Sequence, residues 1–363
     1  MGVYRVFVLN CGSSSIKFQM IAPDSGQVFL KGIVENVETS RAILKWSNGQ
    51  RPLKQSDYAS AIDAIVSFFK EERVDAIGHR VVHGGERFTD SVKIDSSVLT
   101  QIEACVPLAP LHNPFNLLGI KRFHHLFPHL SQVAVFDTSF HQTLPEKAYL
   151  YPIPYNYYKE YGVRRYGFHG ISHRFVVEEG AKKLGKSVEE TSFISCHLGN
   201  GCSLAAIQNG KSIDTSMGLT PLEGLMMGQR SGDIDPSLVA FFSEHLNLSA
   251  KEFTEILNKK SGLAGVSEIS GDMRILLKSR DKQARLAIEM FCYRLAKYIA
   301  AYLVPLKKVD GVIFTGGIGE NAEPILREVK RELAPFRLNF FVIPTNEEWM
   351  IAQDTARIVR VAT

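Results

Sequence analysis

Cysteine is sparse and unpatterned in this 363-residue chain: Cys11, Cys105, Cys196, Cys202 and Cys292 are odd in number, scattered, and never in a C-x-x-C pair. That excludes a disulfide framework and points to reduced, structural thiols in a cytoplasmic protein. Long runs of one charge are missing too. Lysine and arginine number 42 against 38 acidic residues, a net charge of +4 spread along the chain, so no nucleic-acid or membrane footprint is indicated. Nor is there an unbroken apolar stretch of bilayer length. The most apolar candidate, "RLAIEMFCYRLAKYIAAYLV", contains Glu289, Arg294 and Lys297 and spaces Phe291, Leu295, Ile299 and Leu303 four apart. This predicts a buried amphipathic helix rather than a membrane span. The apolar run near the N-terminus is short and has no cleavage site, so no signal peptide is expected.

What is present is ordinary enzyme material. Hydrophobic residues make up 45% and charged residues 22%, enough for a sizeable core, and the length suggests roughly two domains. Helical and strand-like segments alternate, as in "AIDAIVSFFKEE", "VDAIGHRVVHGG", "QVAVFDTSFH" and "DGVIFTGGIGENAEPILREVKREL", which predicts an α/β chain. The Pro- and Tyr-rich stretch "LYPIPYNYYKEYGVRRYG" lacks a period and marks a domain junction near residue 150.

Two stretches share one design. "VFVLNCGSSSIKF" reads as strand, tight turn, alternating strand, and "TSFISCHLGNGCSLAAIQNGKSIDTSM" repeats it in the second half. A turn of small residues exposes several N–H and hydroxyl groups in one concavity that suits an anion. Neither is a G-x-x-x-x-G-K-S/T loop, because the first has a single glycine, Gly12, and runs into a strand. Two such hairpins suggest a duplicated domain, each copy offering a phosphate-binding turn to one ligand.

A third glycine-rich turn, "FTGGIGENA", follows a strand and opens a helix. Gly317, Gly319 and Ala322 satisfy G-x-G-x-x-G/A, with Glu347 at the end of the next strand, so a dinucleotide fingerprint is formally present. Too few residues follow Glu347 to complete a doubly wound domain. A backbone surface for adenosine and its phosphates is the more economical reading. The histidine pairs His79/His83 and His169/His173 are each four apart, but neither has the H-E-x-x-H glutamate of a zinc site and both sit beside glycines in loop-like sequence. His112 and His197 read as single packing histidines. Arg80 and Arg230 lie in glycine-flanked loops, where a guanidinium can hold a carboxylate or phosphate at two points. Asp137 ends an apolar strand, a position for an orienting or metal-linked carboxylate or for a helix cap.

In order along nearly the whole chain, "LNCGSSSIKF", "GHRVVHGGE", "APLHNP", "FDTSFH", "RRYGFHGISH", "HLGNGCS", "SMGLTPLEGLMMGQRSGDIDP", "SGDMR", "FTGGIGEN" and "IPTNEE" resemble the acetate kinase family. That family belongs to the actin, heat-shock-chaperone and sugar-kinase fold group. The resemblance implies duplicated actin-like ATPase domains of ribonuclease H-like α/β type, two lobes around a nucleotide cleft. Residues 1–150 would form the N-terminal lobe and 151–363 the nucleotide-binding C-terminal lobe, with the C-terminal segment packing back on the first. It implies an ATP:acetate phosphotransferase, using Mg²⁺ or Mn²⁺, cytoplasmic and homodimeric. The chain is shorter than a typical member, mostly between Gly32 and Asp57 and at its C-terminal tail, and Cys11 stands where the family usually has alanine.

By the same resemblance, Arg80, Asp137, His169 and Arg230 surround the transferring phosphoryl group, and Arg80, Val82, Leu111, Phe168 and Pro221 form the substrate pocket. Ser13, Ser15 and Lys17 form the phosphate hairpin, and His197, Leu198, Gly199, Asn200 and Gly201 touch the nucleotide phosphates. Asp272, Met273 and Arg274, with Gly317, Ile318, Gly319, Glu320 and Asn321, line the adenosine side, and Asn10 and Glu347 lie close to the metal. Three alternatives stand beside this reading: a propionate kinase of the same family, an NAD-dependent oxidoreductase resting on Gly317 and Gly319, and a non-enzymatic actin-like nucleotide switch.

Overall fold

The computed structural model describes residues 3–70 and 72–361. The chain divides into two compact units, the first running to Phe140 and taking in the residues from Asn346 onward, the second spanning His141–Thr345. The division falls ten residues before the junction expected near 150. The chain has already joined the second unit at His141, whose Nδ1 is hydrogen-bonded to Ser212 Oγ at 2.8 Å, and at Thr143, which donates to the Ser212 carbonyl at 2.8 Å.

The first unit contains β1 (Val6–Cys11), β2 (Ser15–Ile21), β3 (Val28–Glu35), β4 (Ile43–Trp46), β5 (Gly49–Pro52), α1 (Tyr58–Val66), β6 (Ala76–Val81), β7 (Val92–Lys93), α2 (Ser96–Ala104), α3 (Asn113–Leu126) and β8 (Ser131–Phe136). Its sheet runs β5-β4-β3-β2-β1-β6-β8-β7. β1 pairs antiparallel with β2 and parallel with β6, and β6 pairs parallel with β8. The alternation along β2 does what the sequence requires: Ile16, Phe18 and Met20 are buried in the core with Phe7 and Leu9 of β1, Ile62 and Ile65 of α1, and Phe123 of α3. Burial of each such side chain contributes about 1.5 to 3 kcal/mol.

The C-terminal helix, Glu347–Val361, packs on β1, β6 and β8 of this unit. Gly78 permits the close approach, since a Cβ there would stand 2.4 Å from Thr355 Oγ1 and 2.7 Å from Ile351 Cγ2. Trp349 Nε1 donates to the Pro23 carbonyl at 2.8 Å, and Ser91 Oγ donates to Asp354 Oδ2 at 2.7 Å. These ties fix the helix, and with it Glu347. Glu347 therefore opens a helix; it does not end a strand as the sequence pattern suggested.

The second unit contains α4 (Glu146–Tyr149), α5 (Asn156–Tyr161), α6 (Gly170–Leu184), β9 (Ser192–Leu198), β10 (Cys202–Gln208), β11 (Lys211–Thr215), α7 (Leu238–Leu246), α8 (Ala250–Lys259), α9 (Gly262–Ser267), α10 (Met273–Leu276), α11 (Lys282–Leu306), β12 (Gly311–Thr315), α12 (Gly316–Asn321), α13 (Glu323–Glu332) and β13 (Phe340–Val342). Its sheet runs β11-β10-β9-β12-β13, with β9 antiparallel to β10 and parallel to β12, and β12 parallel to β13. This repeats the run β3-β2-β1-β6-β8 of the first unit, strand for strand and in the same senses. The two hairpins read from the sequence are the equivalent pairs β1/β2 and β9/β10. The apolar helix is α11. Among the described residues no helix is long and apolar enough to cross a membrane.

Candidate active site

In the first unit three of the expected side chains gather at the carboxyl ends of three neighbouring parallel strands, the position where open α/β sheets bind ligands. Asn10 comes from β1, Arg80 from β6, and Asp137 from the residue after β8. Arg80 is thus a strand residue and not a loop residue; its side chain leaves the sheet near the strand end. Its Nε donates to Asp137 Oδ1 at 3.0 Å and its Nη2 to Oδ2 at 2.5 Å, while Nη1 donates to Asn10 Oδ1 at 3.2 Å. Glu347 Oε2 lies 4.0 Å from Arg80 Nε.

Burial opposes the Arg80 charge, but the Asp137 and Glu347 carboxylates outweigh it and hold its pKa above the usual value. Asp137 is pushed up to about 6 by burial, against the pull of Arg80 and with a further push from Glu347. The neighbouring Glu348 is raised by burial and by Glu347. Carboxylate charge is therefore concentrated here beyond what one arginine neutralises, a setting that favours an additional cation.

Val82 is buried just beyond β6, and the segment is tied down by the two asparagines of "LHNPFN". The Val82 amide donates to Asn116 Oδ1 at 3.0 Å and the His83 amide to Asn113 Oδ1 at 3.1 Å, while Asn116 Nδ2 donates to the Cys11 carbonyl at 2.7 Å. Asn113 and Asn116 were not singled out in the sequence. Leu111 is exposed on the approach to α3. Ser13 is exposed at the hairpin tip, Ser15 is half-buried and Lys17 is exposed on β2.

In the second unit a different charge arrangement appears. Arg230 is half-buried, and its only protein oxygen partner among the described residues is the Pro221 carbonyl, 3.2 Å from Nη1. Burial lowers its pKa, with no carboxylate to offset the effect. A guanidinium in this setting suits an anion. His169 lies next to it: a Cβ on Gly201 would stand 3.4 Å from Arg230 Nη1 and 3.5 Å from His169 Nε2. Gly201 thus keeps open the space on which the two donors converge.

His169 is the N-cap residue of α6, with a left-handed φ of 56°, a strained setting for a side chain. Its ring stacks on that of His197 with centroids 4.2 Å apart. His197 Nδ1 is hydrogen-bonded to Ser172 Oγ at 2.8 Å, which in turn reaches Thr345 Oγ1 at 2.8 Å. Phe168 is buried and Pro221 half-buried on the loop that ends in Arg230.

A cavity of about 810 Å³ in the same unit is lined by the expected Gly199, Asn200, Asp272, Met273, Arg274, Gly317, Ile318 and Asn321. Gln229, Ser270 and Leu277 also line it and were missed, since nothing in their spacing sets them apart. The glycines of "TGGIGEN" form the short helix α12 and not a bare turn. Gly316 is at φ 76° with a would-be Cβ 2.8 Å from the Leu198 carbonyl oxygen, so only glycine fits there; a Cβ on Gly317 would meet nothing within 4 Å. Leu198 and Gly319 are buried beneath this surface. Glu320 braces it instead of lining it, accepting from the Gly316 amide at 2.9 Å and the Thr345 amide at 3.2 Å. Asp272 caps α10 and holds Arg274, with Nη2 to Oδ2 at 2.6 Å.

Duplicated sheets that each carry a hairpin, an arginine that meets no carboxylate among the described residues beside a histidine, and a hollow of about 810 Å³ walled partly by glycines suit a phosphotransferase. The sequence profile of the Acetokinase family matches residues 5–339. The chain belongs to the acetokinase family. Among its relatives, the acetate kinase of Carboxydothermus hydrogenoformans is 45% identical over 394 aligned positions, covering 98% of this chain and 99% of the relative. Two solved structures are close in shape. A propionate kinase from Francisella tularensis superposes with a TM-score of 0.95 at 43% identity, over 98% of this chain and 100% of the other. The Porphyromonas gingivalis acetate kinase gives 0.90 at 40%, with the same coverage. As an acetokinase, the chain is a phosphotransferase built on duplicated actin-like ATPase domains.

Proposed function

We propose that this acetokinase transfers the γ-phosphoryl group of ATP reversibly to acetate, giving acetyl phosphate and ADP by direct in-line displacement. The observation that carries the reading is the contrast between its two arginines. Arg80 is oriented by a two-point carboxylate pair, whereas Arg230 is left without an acid beside the Nε2 edge of His169. The reaction brings two anions together, and catalysis of such a transfer is mainly alignment and charge neutralisation. The acceptor is ionised already at neutral pH, its carboxyl pKa being about 4 to 5 by analogy with side-chain carboxyls, so no general base is needed.

Arg80 holds the acceptor carboxylate, with Asp137 fixing the guanidinium. Arg230 and His169 donate to the equatorial oxygens of the phosphoryl group. Each such preorganised donor is worth roughly 3 to 4 kcal/mol in the transition state. Val82, Leu111, Phe168 and Pro221 are the residues assigned to the acyl chain. The nucleotide lies along Gly199, Asn200 and Gly317 in the large cavity, and Ser13, Ser15 and Lys17 meet its terminal phosphates.

The donors that would hold a divalent ion are Asn10 and Glu347. Their oxygens are hard ligands of the Mg²⁺ type, and among the described residues no group of three or more His, Cys, Asp or Glu gathers as a metal cage. That pair suits an ion carried in on nucleotide phosphates with most of its waters kept. Bound there, it screens the repulsion between the two anions. We propose further that the protein works as a cytoplasmic homodimer.

Trapping with hydroxylamine tests the activity. ATP, Mg²⁺ and acetate should give acyl hydroxamate in step with ADP. ATP consumed without hydroxamate, or turnover only with a longer carboxylate, would contradict it. The propionate kinase similarity makes propionate the second acceptor to assay.

A further inference from the structure

His169 and His173 stand one helical turn apart at the start of α6, and between them lies a single hydroxyl. Ser203 Oγ, on β10, is 2.9 Å from His169 Nδ1 and 2.8 Å from His173 Nε2. His173 Nδ1 is in turn 2.8 Å from Ser195 Oγ on β9. Ser195, Ser203 and His173 are each 0% exposed. The result is one closed chain of hydrogen bonds, Ser195 to His173 to Ser203 to His169, that ends on the imidazole beside Arg230.

We propose that His173 and Ser203 are positioning residues that fix the tautomer of His169 so that its Nε2 carries the proton. The inference rests on the reading of His169 as a phosphoryl donor given above. A serine hydroxyl has one proton and can give it to only one of two flanking imidazoles, so it must accept from the other. His173, its pKa driven well below the ordinary value by burial and by His141 and His197, carries a single N–H. Only two proton orders are then consistent along the chain.

In the first order Ser195 donates to His173 Nδ1, His173 Nε2–H donates to Ser203, and Ser203 donates to His169 Nδ1. Every hydroxyl and N–H proton of the buried chain has an acceptor, and His169 keeps its own proton on Nε2. In the second order each bond reverses, and the Ser195 proton must point away from His173. Ser195 Oγ has no other hydrogen-bond partner among the described residues, so the reversed order strands a buried donor at the full desolvation cost. The first order wins. It leaves an N–H at Nε2, which a Cβ on Gly201 would meet at 3.5 Å, without requiring His169 to be cationic. The spacing that invites a zinc reading in the sequence serves instead to grip one serine from both sides.

Imidazole ¹⁵N spectra of the full-length protein labelled at histidine decide the matter, with His169→Gln and His173→Gln used for assignment. The expected result is an Nε2–H tautomer for His169 in the wild type. Ser203→Ala should convert it to a mixture and lower kcat about tenfold, the scale on which partners that orient an imidazole act, with KM for ATP and acetate little changed. Ser203→Thr, which keeps the hydroxyl, should restore both. An Nδ1–H tautomer in the wild type overturns the proposal, and needs no folded serine variant to do so. If His169→Gln is impaired while Ser203→Ala keeps both tautomer and kcat, the relay falls alone. If His169→Gln turns over normally, the catalytic reading of His169 falls and the positioning role with it.

Discussion

Asp137 takes the Arg80 guanidinium at two points, while Arg230 meets no carboxylate among the described residues. The two arginines should therefore respond alike in activity and differently in stability. Arg80→Ala and Arg230→Ala are each expected to lower kcat at least about a hundredfold. Asp137 is only 2% exposed, so Arg80→Ala strands its carboxylate and should cost about 3 to 5 kcal/mol of stability. Arg230→Ala leaves no buried charge unpaired and should change stability by less than about 1 kcal/mol. Steady-state rates with thermal unfolding curves for both variants check this pair of outcomes.

Adjacent glycines separate a fold requirement from a ligand requirement. Gly316→Ala forces a side chain into a left-handed conformation against the Leu198 carbonyl and should destabilise the second unit. Gly317→Ala meets no protein atom within 4 Å and should melt like the wild type. If the space above Gly317 belongs to nucleotide, the KM for ATP should rise about tenfold, equivalent to about 1.4 kcal/mol of lost contact. An unchanged KM would place the nucleotide elsewhere.

Four buried histidines set the acid limit of stability. Burial lowers His79 and His141 to about 4, His83 to about 3, and His173 well below the usual value. In the unfolded chain each titrates near 6.5. Between about pH 6.5 and 4 the unfolded state thus binds more protons, so stability is full above 6.5 and falls as pH drops through it. Each histidine costs about 1.4 kcal/mol per pH unit below that point. Denaturant titrations at pH 7.5 and 5.5 should show a marked loss, reduced by His141→Gln. A flat profile down to pH 5 would contradict the assignment of these imidazoles as neutral.

Val82 bears on acceptor length. If Val82 faces the acyl end as proposed, its stiff β-branched side chain, on a segment whose amide is anchored by Asn116, should leave little room beyond a methyl. Acetate should be preferred to propionate, by a modest margin, since one methylene is worth about 1 to 3 kcal/mol. Val82→Ala should move kcat/KM toward propionate and leave the KM for ATP alone. A wild type that favours propionate, or an unaltered ratio in the variant, shows that this valine does not set the choice.

Both hairpins and helix α11 were legible because apolar periodicity alone positions them. Arg80 looked like a loop residue because "GHRVVHGG" surrounds it with glycines, although Ala76 and Ile77 already commit the segment to β6 beside β1. Glu347 was read as a strand end, yet "TNEE" carries a helix-start signal: Asn346 Oδ1 accepts from the Trp349 amide at 3.1 Å. The hydrogen bonds of Asn113, Asn116, Ser195 and Ser203 could not be read from the sequence. A sequence does not show which polar residues are buried, and their roles lie entirely in what they are bonded to.

Stereochemistry at the transferred phosphorus tests direct displacement most sharply, because the roles proposed for Arg80, Arg230 and His169 leave no task for a covalent protein intermediate. With ATP made chiral at the γ-phosphoryl group by oxygen isotopes, one in-line transfer to acetate inverts the configuration. Inversion in the acetyl phosphate product is the expected result. Retention would require two successive displacements, with a phosphorylated carboxylate such as Asp137 between them, and would contradict the mechanism derived from this site.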